Sequence, residues 1–190
     1  MKYCSVCGSE LRVGVPEGDN RQRHICDHCN TVHYRNPKVV AGCIAHWNDR
    51  VLMCRRAIEP RYGLWTVPAG FMENGETTYE AAVRETLEEA NARVEIEDLY
   101  VTVNLPHISQ VYMVFRGRLL DLDFSPGDES LEVQLMSESD MPWERIAFPT
   151  VSEALKLYFS DCGTGVFPVR MLDIVRHGSV PGRYSVKQIS

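Results

Sequence analysis

No apolar run in this 190-residue chain is long enough to cross a bilayer; the longest, Val39 to Trp47, is interrupted by His46. The opening Met1-Lys2-Tyr3-Cys4 carries no apolar signal segment. These two absences lead to the expectation of a cytoplasmic chain with no membrane partner. Positive charge is scarce as well. Twenty Lys and Arg stand against 26 Asp and Glu, a net charge of −6. A general nucleic-acid binder carries a basic surface, so nucleic acid is not an expected partner. Seven cysteines, an odd number, leave at least one thiol outside any disulfide framework. There is no internal repeat and no low-complexity segment. What remains is the 44% hydrophobic, 24% charged balance of a soluble globular chain, sized for one generous domain or one domain plus a remainder.

Four of the cysteines form two pairs, Cys4-Ser5-Val6-Cys7 and Cys26-Asp27-His28-Cys29, with 18 residues between them. Two-residue spacing lets both thiolates of a pair point at one ion, and two such knuckles close a tetrahedron. Cys4, Cys7, Cys26 and Cys29 are therefore expected to hold Zn2+. Four protein ligands leave no open position, which makes that zinc structural. His24, His28 and His33 lie close in sequence and are the alternative ligands, each read first as a solvent-facing side chain. Cys43 and Cys54 sit in apolar strand-like runs and are read as small hydrophobes. The Asn36-Pro37 step marks a turn, so a first module is expected over residues 1–36. So short a segment has little core of its own, and the metal supplies its folding energy.

Residues 37–165 are expected to form the main domain, with a C-terminal extension over 166–190. Lys38–Trp47 and Val51–Cys54 resemble two strands of a hairpin, and Gly63–Val67 gives another extended run. Glu76–Ala90 is helical in pattern, with Tyr79, Ala82, Val83, Thr86, Leu87 and Ala90 recurring at three- and four-residue intervals and Asn91 as a left-handed terminator. Strands are expected around Arg93–Asn104, Gln110–Leu120 and Leu131–Met136, and a last helix from Thr150 to Tyr158. In the extension, Arg170, Arg176, Arg183 and Lys187 suit either a homodimer contact or a solvated tail.

The negative charge is concentrated: Glu73 to Asp98 holds nine acids against Arg84 and Arg93. Within it, Glu85, Glu88 and Glu89 share one helix face at i, i+3 and i+4. Like charges so placed repel, and a hard divalent ion relieves them. On the triple alone, a metal site and a solvated acidic face fit equally well.

The segment before the helix separates these readings. Pro68-Ala69-Gly70-Phe71-Met72-Glu73-Asn74-Gly75-Glu76 is a glycine-bearing loop that feeds the helix, with Gly70 and Phe71 as its substrate-facing residues. Gly70, Glu76, Arg84-Glu85 and Glu88-Glu89 together fit G-x5-E-x7-R-E-U-x-E-E-x-G-U, where U is a bulky aliphatic residue. This resembles the Nudix box, over Gly70 to Ala92. The strand order from Lys38 to Tyr158 is similar to the Nudix α/β/α sandwich, so the expected fold class is α/β, with a small N-terminal zinc ribbon. Thr86, Asn91 and Ala92 depart from the box, and none of the three departures touches a carboxylate.

The resemblance implies hydrolysis of a nucleoside diphosphate linked to another group. It assigns Glu85, Glu88 and Glu89 to Mg2+ or Mn2+, Glu76 to orienting Glu85 or a water, and Arg84 to holding the glutamates. The general base in such enzymes comes from another loop, and Glu129 and Glu132 are the two acids considered, with surface positions as the alternative. A zinc ribbon before such a domain resembles both NADH pyrophosphatases and ADP-ribose/FAD pyrophosphatases. The NADH group carries Ser-Gln-Pro-Trp-Pro-Phe-Pro after the box, where this chain reads Asn104-Leu105-Pro106-His107-Ile108-Ser109-Gln110. ADP-ribose or FAD is thus the expected substrate, with NADH second. Tyr34, Tyr62, Phe71 and His107 are the aromatic platforms considered for adenine. From a different class, a non-catalytic nucleotide sensor would use the ribbon for protein or RNA contact.

Overall fold

A computed structural model describes residues 1–177 and 184–189. Arg183, one of the basic residues of the extension, lies outside them. The chain divides into two compact units, Met1–Pro37 and Lys38–Ser190.

In the first unit, three short antiparallel strands, β1 (Arg12–Gly14), β2 (Arg23–Ile25) and β3 (Val32–His33), form one sheet in that order. Each cysteine knuckle is followed by a residue in the left-handed region, Gly8 at φ 75° and Asn30 at φ 58°. Among the described residues, Cys4, Ile25 and Cys26 are the only buried apolar side chains of this unit. Such a core cannot offset the chain entropy of folding, so cross-linking by metal is the physical requirement.

The second unit is built on one nine-stranded mixed sheet. Its elements are β4 (Lys38–Trp47), β5 (Arg50–Arg56), β6 (Trp65–Thr66), β7 (Ala69–Phe71), α1 (Thr78–Ala90), β8 (Val94–Leu105), β9 (Gln110–Leu119), β10 (Ser130–Met136), α2 (Pro149–Cys162), β11 (Arg170–Arg176) and β12 (Tyr184–Gln188). The path is β10-β5-β4-β9-β8-β11-β12, with β6 on β5 and β7 on β4. The β4–β9 and β8–β11 pairs are parallel and the rest antiparallel. Along β4 and β5, Ile44, Val51 and Met53 join a cluster with Val151, Ala154, Leu155 and Tyr158 of α2. The alternate residues Cys43, Ala45, Leu52 and Cys54 pack with Ala90 of α1. One helix thus covers each face, giving the α/β/α sandwich. Burial on both faces explains why β4 reads as a continuous apolar run.

Several boundaries differ from the sequence expectation, each for a local reason. Thr77 takes the N-cap and forms a capping box with Glu80, so α1 begins at Thr78 and Glu76 stands outside the helix. Asn91 ends α1 in the left-handed conformation, φ 47° and ψ 25°. α2 runs on to Cys162, because its apolar stripe continues through Phe159. The residues after Val166 are not simply a solvated tail. β11 hydrogen-bonds to β8 and buries Leu172 and Ile174, while Arg170 forks onto Asp161 at 2.5 and 2.8 Å beside the Tyr100 hydroxyl.

Candidate active site

The expected loop ahead of α1 contains a strand. In β7, Gly70 pairs with Ala41 and Phe71 with Val40, laying this segment across the N-terminal half of β4. Gly70 is required by space: a Cβ there would overlap all three atoms of the Glu85 carboxylate. Gly75 has φ 91° and turns the chain so that Glu76 Oε1 accepts from Glu73 N at 2.5 Å.

Arg84 is the hub of the glutamate cluster. Its Nε and Nη2 donate to Glu76 at 3.0 and 2.8 Å, and its Nη1 donates to Glu85 at 2.7 Å and Glu88 at 2.9 Å. Nη2 also reaches the Phe71 carbonyl at 3.1 Å, tying helix to β7. Hydrogen bonds from Arg84, then from the Glu73 amide, pull the Glu76 carboxyl down to about 2. Glu85 and Glu89 are buried, and burial raises both. Glu89 is pushed up to about 8, with the neighbouring Glu85 and Glu129 adding to the rise and Arg56 opposing it. Glu88, by contrast, is 59% exposed and turned onto Arg84.

Glu129 arrives from the loop before β10. Ser125 N and Gly127 N donate to the last carbonyls of α1, at Ala90 and Glu89, both at 3.0 Å. The Asn91 amide caps this arrangement with bonds at 3.2 Å to Ser125 O, Ser125 Oγ and Pro126 O. Asparagine in place of the closing glycine of the box therefore keeps the left-handed cap and gains a loop anchor. Glu132, the other acid considered as base, pairs with Arg55 at 3.1 Å and lies outside the cavity lining.

Gly70, Phe71, Arg84, Glu85, Glu88, Glu89 and Glu129 line one cavity of about 1150 Å³. That is room for a dinucleotide-sized ligand. Of the aromatic platforms considered, Phe71 and His107 line it. Tyr62 does not, and Tyr34 belongs to the first unit, where the Arg23 guanidinium lies 5.0 Å from its ring centroid. Sequence reasoning missed Arg56, Tyr112, Phe148, Arg176 and Tyr184, which also line the cavity. The one available signal was Arg55-Arg56 ending an apolar strand.

Two metals were expected, and the donor sets fit both. The Sγ atoms of Cys4, Cys7, Cys26 and Cys29 all lie within 4.8 Å of one another. Cys4–Cys29 and Cys7–Cys26 are 3.6 and 3.5 Å apart, against about 3.8 Å for sulfurs in a tetrahedron at the usual Zn–S bond length. His33 Nε2 stands 3.3 Å from Cys4 Sγ, beside the sulfur and not in its place. Among the described residues this is the only group of three or more such donors gathered so closely. The buried carboxylates of Glu85 and Glu89, facing Glu129, suit a hard divalent cation, which would relieve both the repulsion and the cost of burial.

A family model described as Nudix N-terminal, a zinc ribbon, matches residues 2–35, and a NUDIX domain model matches residues 36–155. The crystal structure of a NUDIX hydrolase from Nitrosomonas europaea is similar over 91% of this chain and 99% of that one, at 55% identity and a TM-score of 0.87. A curated relative from Edwardsiella ictaluri, named NAD-capped RNA hydrolase NudC, is 32% identical over 76% of this chain and 51% of its own length. One of the same name from Photorhabdus laumondii is 36% identical over 49% of this chain and 34% of its own. The chain thus spans half or less of the length of these two curated relatives. An ADP-ribose pyrophosphatase structure from Streptococcus suis, at 22% identity over 72% of this chain and 99% of that one and a TM-score of 0.59, shares the fold. A domain model covering more than half of the chain, a near full-length structural relative and an intact set of box acids together establish that this chain belongs to the Nudix hydrolase family, with a Nudix-type zinc ribbon at its N-terminus.

Proposed function

We propose that this chain hydrolyses the diphosphate bond of a nucleoside diphosphate-linked dinucleotide, in a reaction that depends on Mg2+ or Mn2+. The observation that carries this is the gathering of Glu85, Glu89 and Glu129 on a dinucleotide-sized cavity, with Arg84 clamped to Glu76, Glu85 and Glu88. Glu85 and Glu89, with Glu88, would hold the metal, which supplies charge neutralisation at the phosphates and a more acidic water. Glu129 accepts the proton of the attacking water. Arg84 and Glu76 keep Glu85 in place, and the buried position of Glu89 excludes bulk solvent from one side. Water adds to one phosphorus, the bridging P–O bond breaks, and AMP leaves with the second monophosphate.

NADH, or an NAD-type end, heads the proposed substrates, because the curated relatives are named for NAD-capped RNA. This reverses the order expected from sequence. The absent Ser-Gln-Pro-Trp-Pro-Phe-Pro segment favours a second reading, ADP-ribose or FAD. A net charge of −6 does not exclude a capped RNA end, since the reacting part of such a substrate is the dinucleotide. The proposed compartment is the cytoplasm, whose reducing poise keeps four thiolates free for zinc. Among the described residues, no helix is long and apolar enough to cross a membrane.

Purified protein with Mg2+ should cleave NADH, and a panel of NAD, NAD-capped RNA, ADP-ribose, FAD, ADP-glucose and nucleoside triphosphates ranks the alternatives by kcat/KM. A clear lead for ADP-ribose or FAD would restore the second reading. No cleavage with any divalent metal would leave the nucleotide sensor as the better account.

A further inference from the structure

Two consecutive arginines end β5, and the fold gives them different surroundings. Arg55 is in phase with Val51 and Met53 and pairs with Glu132. Arg56 is in phase with Leu52 and Cys54, which pack with α1, and it lines the cavity. Its backbone pairs with Ser130 at the start of β10, and the next amide, Ala57 N, donates to the Glu129 carbonyl at 2.8 Å. Main-chain hydrogen bonds therefore fix Arg56 beside the residue that accepts the water's proton.

The side chain is held at its neck and left open at its tip. Nε donates to the Pro60 carbonyl at 3.0 Å, and the guanidinium lies 5.2 Å from the centroid of the Phe148 ring. Among the described residues, no group accepts a hydrogen bond from its two terminal nitrogens. Its charge is nevertheless felt by Glu89 and by Tyr112, on two different elements that line the cavity. Arg84 offers no such opening, since its nitrogens are already bonded to Glu76, Glu85, Glu88 and Phe71.

Resting on the proposed hydrolysis, we infer that Arg56 is the residue that grips the substrate's diphosphate, its two terminal nitrogens donating to phosphate oxygens while Glu85, Glu89 and their metal act on the same group. A guanidinium presents paired donors in a fixed plane, which matches two phosphate oxygens as an ammonium does not. The Phe148 ring covers part of the cation and limits its hydration, strengthening the contact that the tip makes. Anchoring at Nε means that little side-chain freedom is lost when substrate arrives.

The test compares binding with turnover in the full chain. Calorimetric titration with ADP and with adenosine, both in Mg2+, is run on wild type, Arg56→Gln, Arg56→Lys and Arg55→Gln. Arg56→Gln should weaken ADP by roughly ten- to a hundredfold while leaving adenosine unchanged, and should raise KM for the dinucleotide. Arg56→Lys should recover part of the loss, because it keeps the charge without the fork. Arg55→Gln should bind both probes as wild type does. If Arg56→Gln binds ADP normally and still turns over, the inference falls and the hydrolase reading stands. Equal weakening of ADP and adenosine would reveal a structural role and overturn it as well. A wild type that neither binds ADP nor cleaves any dinucleotide would remove the hydrolase reading, and this inference with it.

Discussion

Replacing Gly70 by alanine tests the site with a single methyl group. The residue sits in β7, paired with Ala41, outside the left-handed region, so alanine suits its backbone. What the added Cβ meets is the Glu85 carboxylate, which must retreat by about 1 Å to reach van der Waals contact. Glu85 is buried and bonded to Arg84 Nη1 at 2.7 Å, so it cannot move without loosening that bond. A displacement of about 1 Å in a catalytic group costs on the order of 100-fold in rate. Steady-state kinetics across a Mg2+ titration should therefore show kcat/KM reduced by about that factor, with half-saturation by metal shifted upward. The melting temperature should change little, because the clash is relieved at the flexible end of one side chain. Gly75→Ala is the contrasting variant. At φ 91°, with nothing within 4 Å of its Cβ, it meets strain and no clash. It should lose about 1–2 kcal/mol of stability and leave the metal titration unmoved. Near-normal kcat/KM and unchanged metal response in Gly70→Ala would refute the placement of Glu85 at the metal.

Glu89→Gln should lower kcat/KM by orders of magnitude with the fold intact by circular dichroism, whereas Glu80→Gln, whose amide still serves the capping box, should retain activity. Asn91→Gly keeps the left-handed cap but loses three bonds to the loop before Glu129, so stopped-flow kinetics should show kcat down by roughly tenfold with the melting point nearly constant. Elemental analysis should find about one zinc per chain after a mild EDTA wash that abolishes turnover, and Mg2+ alone should restore the rate; recovery that needs zinc would sink the division between the two metals. The Asp161 carboxyl is held low by the Arg170 ion pair and then by the Tyr100 hydroxyl, so its stabilisation is present above the unfolded pKa of about 4 and fades as pH falls through the lower folded value. Urea unfolding should accordingly show Asp161→Asn less stable than wild type at pH 7, with the gap closing near pH 3; a gap that stays constant would contradict the pairing.

How much of this was legible beforehand follows from the range of each interaction. Cysteine knuckles, the i, i+3, i+4 glutamates and the αL terminator Asn91 are local patterns. A helix or a tight turn fixes their geometry within a few residues, whatever the rest of the chain does. The zinc ribbon, the helix and the Nudix class could thus be read from spacing. Even there, the helix start was misjudged by two residues, because a threonine able to cap lay just inside the pattern.

Tertiary pairing decided the rest. Glu129 and Glu132 are three positions apart and alike in sequence, and only the irregular β5–β10 register sends one to the cavity and the other to Arg55. The same register separates Arg56 from Arg55. The C-terminal segment reads as exposed and basic, yet β11 finds a parallel partner in β8 about 70 residues earlier, a pairing that no local signal encodes. Gly70 seemed to serve a tight loop, whereas its missing side chain makes room for a carboxylate on another element. Short-range periodicity was enough to name the chemistry; which residues surround the substrate depended on strand registers that fix only when the whole sheet packs between its two helices.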